Sequence, residues 1–407
     1  MTINKNIKLA HLTHGSIIGG VERDFSEFIA CPYKNKNVTH FVVTTRGFHP
    51  YIKNRISLVA QKVYSLSHCC NFKIPKPLRY IKANYIISKL KPMDINIWLL
   101  WNIFPSSKLS SFILNFKSIY YEMGNSWETQ YFTNTNKIFL EKISCIICCS
   151  YATKRMLELK WGITNKNIKV VQNALRPSCK PENPNVKTID KNRPMILGIA
   201  GRHVSYKGFP LVACALAELK RRKIPCQLLV AGVGKKLDDL KKLALKLNIE
   251  KEVVFLGLVD DMNTFYSKID LFICPSIREP FGLVNIEAMA HGCPVIVAGV
   301  DGMPEILDGS NAGIVIRPTL EIERYPEFGG SLDFLNKIVS VYDPYTDTII
   351  RPRILNPVHL ADAVEDLWSN PDNFSEISKN AVKHVNNKFD YENHVKEVYK
   401  IIEDVIK

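Results

Sequence analysis

Residues 270–297 read DLFICPSIREPFGLVNIEAMAHGCPVIV, a buried apolar run that enters a loop bearing Glu279 and then a helical stretch bearing Glu287. A short apolar run bounded by turn residues is the pattern of a strand covered on both faces. A loop glutamate at the carboxyl end of such a strand can accept hydrogen bonds from hydroxyl groups, and one in the next helix can grip a diol. The backbone N–H groups around Phe281, Gly282, Leu283 and Val284 lie at the start of that helix. Unsatisfied donors and the helix dipole favour a phosphate there, and glycine lets the ligand approach.

The same strand-then-helix rhythm extends to both sides. Upstream, residues 195–200 read as a buried strand, 211–220 as a helix, 227–231 as a strand, 237–247 as a helix, and 253–256 and 271–274 as further strands. The chain opens in the same way, with a strand at 7–12, a glycine-bearing turn at 15–20 and a helix from about Val21. Strand-like runs follow at 38–45, 95–100, 118–122 and 145–149. Strands alternating with helices predict parallel, doubly wound sheets, whose ligands bind at the carboxyl ends of the strands. Residues 177–194 (PSCKPENPNVKTIDKNRP) are rich in proline and lysine and lack hydrophobic periodicity, the mark of a connection between two domains. The expectation is an α/β protein of two Rossmann-like domains, 1–180 and 195–388, joined by a linker at 181–194. At 407 residues the chain is long enough for two cores.

A second constellation sits at the end of the first strand of domain two, in GIAGRHVSYKG, residues 198–208. Arg202 and Lys207 are its cations. Fixed positive charge beside a departing diphosphate stabilises the transition state more than the ground state. Together with E-x7-E (Glu279 and Glu287), the intervening Pro280-Phe281-Gly282-Leu283 and the following Gly292-Cys293-Pro294-Val295, this pattern resembles glycosyltransferase family 4, retaining enzymes of the GT-B fold. The resemblance implies that Glu279 contacts the donor sugar, Glu287 the nucleotide ribose, and Arg202 and Lys207 the diphosphate. Residues 15–22 (GSIIGGVE) resemble the family's N-terminal glycine loop, which places Gly19 and Gly20 at the cleft. Residues 302–306 (GMPEI) match another family segment, in which Glu305 is expected to be structural. Residues 170–177 (VVQNALRP) resemble the segment ending domain one. A last helix from about 389 to 407 is expected to cross back to domain one.

One departure stands out. Where many members carry His-Gly or His-Asp after a domain-one strand, this chain has Tyr120-Tyr121-Glu122-Met123-Gly124-Asn125-Ser126-Trp127. Met123 takes the histidine's place, so a contact to sugar or acceptor is lost, moved to Glu122 or Asn125, or unnecessary. The stretch also resembles lipopolysaccharide transferases, which implies a glycan or lipid-linked acceptor of the bacterial envelope. Residues of about 319–356 read as an insertion of unassigned role. There is no D-x-D triplet and no zinc pattern, so the expectation is a nucleotide-sugar donor whose diphosphate is neutralised by Arg202, Lys207 and helix termini, with no obligatory metal or other cofactor.

The formal charge is +15, and no Asp or Glu occurs between residues 28 and 93. Within that stretch Lys73, Lys76, Arg79, Lys82, Lys89 and Lys91 interleave with Ile, Leu and Tyr. This is the pattern of an interfacial segment drawn to anionic lipid, or of a solvated basic face. A nucleic-acid-binding motif is lacking. The apolar run at 95–104 is shorter than the roughly 18 residues of a membrane span, and residues 1–15 lack the pattern of a secretory signal. A cytoplasmic protein, peripheral on the inner membrane face, is expected. Eleven irregularly spaced cysteines fit reduced thiols, with Cys145, Cys148 and Cys149 in a buried strand. Rival activities on the same fold are nucleotide-sugar epimerisation and phosphorolysis. A non-catalytic scaffold should have lost Glu279, Arg202 or Lys207, all of which are present.

Overall fold

The computed structural model describes residues 6–16, 19–32, 37–47, 49–69, 72–164 and 167–407. Ile17 and Ile18 of the glycine loop and Asn71 of the basic stretch lie outside these. Domain one is built on strands β1 (Ile7–Thr13), β2 (Val38–Thr44), β3 (Ala60–Ser65), β4 (Ile97–Trp101), β5 (Lys117–Glu122), β6 (Cys145–Cys148) and β7 (Ile168–Val170). They form one parallel sheet in the order β3-β2-β1-β4-β5-β6-β7. Alternation along the strands divides two cores. Leu9, Ile97 and Ile119 face one side with Phe25 and Phe28 of helix α1 (Gly20–Ala30), while Ala10, Trp98 and Tyr120 face the other. On that second side lies helix α2 (Lys76–Leu90), which buries Ala83, Ile86 and Leu90.

Domain two repeats the plan with β8 (Met195–Ala200), α3 (Phe209–Arg221), β9 (Cys226–Ala231), α4 (Leu237–Lys246), β10 (Val253–Gly257), β11 (Leu271–Cys274), α5 (Leu283–Ala290), β12 (Val295–Ala298) and β13 (Gly313–Ile316). Its parallel sheet runs β10-β9-β8-β11-β12-β13. In both sheets the order reverses beside the first strand, and a crevice opens at such a reversal. The two sheets are therefore doubly wound and Rossmann-like, as the strand–helix rhythm predicts. Nine cysteines among the described residues form no disulfide, and Cys145, Cys148 and Cys149 are buried.

After β13 the chain makes an excursion whose ends are tied together, because β14 (Leu320–Glu321) pairs antiparallel with β17 (Arg353–Ile354). Between them β15 (Val341–Asp343) and β16 (Thr348–Ile350) form a hairpin. The last helix, α6 (Tyr391–Ile406), lies on domain one. Tyr399 stacks on Phe28 with ring centroids 5.0 Å apart, the Leu175 N–H donates to Phe389 O at 2.9 Å, and His394 pairs with Gln172 O at 2.9 Å. Each fully buried aromatic of this kind contributes about 1.5–3 kcal/mol, enough to keep α6 seated.

Candidate active site

The carboxyl ends of the two sheets enclose a cavity of about 570 Å³. Gly19, Gly20, Met123, Arg202, Lys207, Glu279, Phe281, Gly282, Leu283, Val284 and Glu287 all line it. Gly282 caps α5 with φ +96°, and a Cβ there would lie 2.6 Å from Asn285 Nδ2. Only glycine turns the chain this sharply and leaves the N–H groups at the helix start open. Domain one closes over the same point, where a Cβ on Gly20 would come within 3.9 Å of Leu283 Cδ1.

Glu279 and Lys207, 72 residues apart, form an ion pair inside the cavity, and the Ser276 hydroxyl approaches the same carboxylate at 3.5 Å. Burial works against the Lys207 ammonium, but the Glu279 carboxylate outweighs it and Lys207 holds its proton more tightly than a free lysine. Arg202 is more exposed and donates to the Tyr206 hydroxyl at 3.3 Å. One carboxylate and two cations thus meet the N-terminus of α5, an arrangement fitted to hold a sugar diphosphate.

Glu287 lines the cavity but already has partners within the protein. Only 2% exposed, it is paired through one oxygen with Arg176 and accepts the Tyr266 hydroxyl on the other at 2.9 Å. A ribose diol reaching this carboxylate has to share those oxygens or displace Arg176. Asp24 of α1 stands 3.8 Å from the same guanidinium. Burial pushes the Asp24 carboxyl up to about 7, although Arg176 favours its ionised form.

Two residues weighed as sugar or acceptor contacts need correction. Glu122 is fully buried, and its Oε1 accepts the Gly124 and Ser126 N–H groups at 2.8 and 2.9 Å. Burial raises its pKa. It shapes the turn after β5 and does not reach the cavity. Asn125 donates to Asn102 O at 2.7 Å and to the Tyr120 hydroxyl at 3.0 Å, so it also serves the turn. Of that segment, Met123 is the one that lines the cavity, with an apolar thioether. Gly124, at φ +131°, leaves room for Arg278, whose guanidinium donates to Gly124 O across the cleft.

Glu305 accepts the Tyr151 and Ala152 N–H groups at 2.8 and 2.7 Å and the Gln172 amide at 3.0 Å. It fastens domain two to a helix start in domain one. Arg176, Asp24 and Arg278 went unassigned in the sequence because nothing in their local pattern sets them apart from surface charges. Among the described residues there is no group of three or more His, Cys, Asp or Glu side chains placed to hold a metal ion.

Residues 179–327 match the family model described as glycosyl transferases group 1. An uncharacterized glycosyltransferase of Methanocaldococcus jannaschii is 36% identical over 132 residues, 32% of this chain and 33% of that protein. The lipopolysaccharide core biosynthesis glycosyltransferase LpsE of Rhizobium meliloti is 25% identical over 322 residues, 76% of this chain and 84% of that one. Among solved structures, Anabaena HepE in complex with UDP has the same fold, with a TM-score of 0.71, 17% identity, and coverage of 98% of this chain and 100% of that one. With its two facing Rossmann-like sheets the chain has the GT-B fold, and its segment at residues 179–327 is similar to glycosyl transferases group 1.

Proposed function

We propose that the chain transfers a hexosyl group from a UDP-sugar, with retention at the anomeric carbon and no obligatory metal, to a glycan or lipid-linked acceptor in lipopolysaccharide or other envelope polysaccharide synthesis. The observation that carries this reading is the Glu279–Lys207 pair beside Arg202, set against the start of α5 inside the interdomain cavity. The cations take up charge as the diphosphate leaves, and Glu279 accepts hydrogen bonds from the sugar hydroxyls. The bond from the anomeric carbon to phosphate breaks while the bond to the acceptor oxygen forms on the same face. The acceptor proton passes to the departing phosphate oxygen. UDP in the structure of HepE and the lipopolysaccharide role in the name of LpsE support the donor and the acceptor class.

A thermal-shift screen of UDP, GDP, ADP and their sugars, with and without EDTA, tests donor and metal together. A selective UDP shift that EDTA leaves intact agrees with the proposal. An inverted anomer in the product, seen by NMR, refutes the retaining step. Absence of any nucleotide shift on folded protein points instead to a scaffold.

Helix α2 supports peripheral docking to an anionic membrane. Leu78, Ile81 and Tyr85 are exposed on it, and Lys82 and Lys89 lie 5.8 and 5.4 Å from the Tyr85 ring. Apolar side chains ringed by lysines suit the headgroup boundary of a bilayer. No helix among the described residues is long and apolar enough to cross a membrane. Sedimentation with anionic liposomes at low salt should be lost in Leu78→Ser/Ile81→Ser; equal binding by that variant refutes docking through this face.

A further inference from the structure

Glu279 is held by its backbone as well as by Lys207. Its N–H donates to Oδ2 of Asp301 at 2.9 Å, and its carbonyl accepts the Gly302 N–H at 3.3 Å. Asp301 is fully buried and adopts φ +52°, a left-handed conformation that costs a non-glycine residue energy unless its surroundings impose it. Those surroundings come from three parts of the molecule. The Trp127 indole N–H of domain one donates to Asp301 Oδ1 at 2.9 Å. The Tyr342 N–H of the 319–356 excursion donates to the same oxygen at 2.8 Å, and the Asp301 N–H returns to Tyr342 O at 3.0 Å.

The excursion is in turn strapped to domain one. Asp347 takes two hydrogen bonds from Arg155 at 2.8 Å each and one from the Tyr342 hydroxyl at 2.9 Å. The Thr129 N–H and hydroxyl donate to Lys337 O at 2.8 Å and Asn336 O at 2.9 Å. Arg278, adjacent to Glu279, lies over the Trp127 ring at 5.2 Å.

We infer that Asp301 is the positioning residue for Glu279, and that the 319–356 excursion is a strap that makes the placement of Glu279 depend on the seating of domain one against domain two. The inference rests on Glu279 acting on the donor sugar. Physically, one buried carboxylate satisfies three N–H donors, each from a different segment, and none of them has another acceptor among these contacts. Any shift of Trp127 or Tyr342 therefore moves Asp301, and with it the backbone that carries Glu279. A misplacement of about 1 Å in a catalytic group costs roughly 100-fold in rate, so a loosened strap is felt in turnover before it is felt in binding.

Asp301→Asn tests the assignment, since an amide has one acceptor oxygen and must turn its NH₂ either to Glu279 N–H or to the Trp127 and Tyr342 donors. Trp127→Phe keeps an aromatic ring there but removes the indole N–H together with the five-membered ring that carries it, so its effect combines a lost hydrogen bond with lost packing. Assays are run at pH 8.5, above the value of about 7 to which burial pushes the Asp301 carboxyl. Asp301→Asn is expected to lower kcat by about 10- to 100-fold with the Kd for UDP within about threefold. Trp127→Phe and Asp347→Ala are expected to lower kcat less, also with UDP binding kept. Hydrogen exchange of the peptide spanning residues 275–283 is expected to speed up in all three variants. Unchanged exchange and kcat in Asp301→Asn, or a loss of kcat that only tracks the loss of folded protein, overturns the inference. If the unaltered protein transfers no sugar, the functional reading fails separately, and the exchange rates still decide whether Asp301 and the strap hold the Glu279 loop.

Discussion

Removing one member of the Arg176–Glu287 pair is the sharpest test of the cleft geometry. Arg176 and Glu287 have side chains 7% and 3% exposed, and Arg176→Met leaves the Glu287 carboxylate with only the Tyr266 hydroxyl. Breaking a buried ion pair from one side costs about 3–5 kcal/mol, because the remaining charge stays desolvated. At roughly 2–4 °C per kcal/mol for a domain of this size, the melting transition should fall by about 6–20 °C. The companion Arg176→Met/Glu287→Gln removes the orphaned charge and should recover at least half of that loss. The assay is differential scanning calorimetry of the two single variants, the double variant and the parent, read as a double-mutant cycle. A drop below about 2 °C in Arg176→Met, equivalent to roughly 1 kcal/mol, would show that the two side chains do not meet in solution. A double variant no more stable than Arg176→Met would show that the cost is lost packing and not an unpaired charge.

Glu279→Gln should leave the fold intact and reduce kcat by roughly 100-fold, the scale of one polar group aimed at developing charge; steady-state kinetics with a UDP-sugar checks it. Lys207→Ala should weaken UDP binding by isothermal titration, with EDTA making no difference to either protein. His40 and His394 should stay neutral at pH 5.5, where a free histidine is about 90% protonated, because burial lowers both to about 4. For such a depressed base the stability contribution is present above pH 6.5 and is lost as pH falls towards 4. Asp24 and Asp301, raised to about 7 by burial, contribute the opposite slope, so the imidazole nitrogen shifts themselves, measured by NMR, are the readout. The Trp101 N–H donates to His11 Nδ1 at 3.1 Å, and His11 Nε2 lies 2.9 Å from His40 Nδ1. That relay needs both rings neutral and should break if either one titrates early.

Much of the fold was legible because strands and helices write themselves locally. The apolar runs at 195–200 and 271–274 coincide with β8 and β11, since a strand buried on both faces must be apolar throughout. β7 escaped notice, being three residues long with only partial burial. The hairpin within 319–356 was hidden for a related reason, its strands being three residues each. Glu279, Lys207 and the glycine turn of α5 were readable because a loop between a strand and a helix start restricts which residues fit. The sequence by itself thus determined the doubly wound architecture, the place of the cleft and the residues at the start of α5. Tertiary structure decided what each polar side chain does there. Glu122 turned inward to hold its own loop, Glu287 was claimed by Arg176 111 residues away, and Asp301 joined Trp127 across 174 residues. A carboxylate's partners and its cost of burial depend on which distant segments close over it, and no local pattern carries that information.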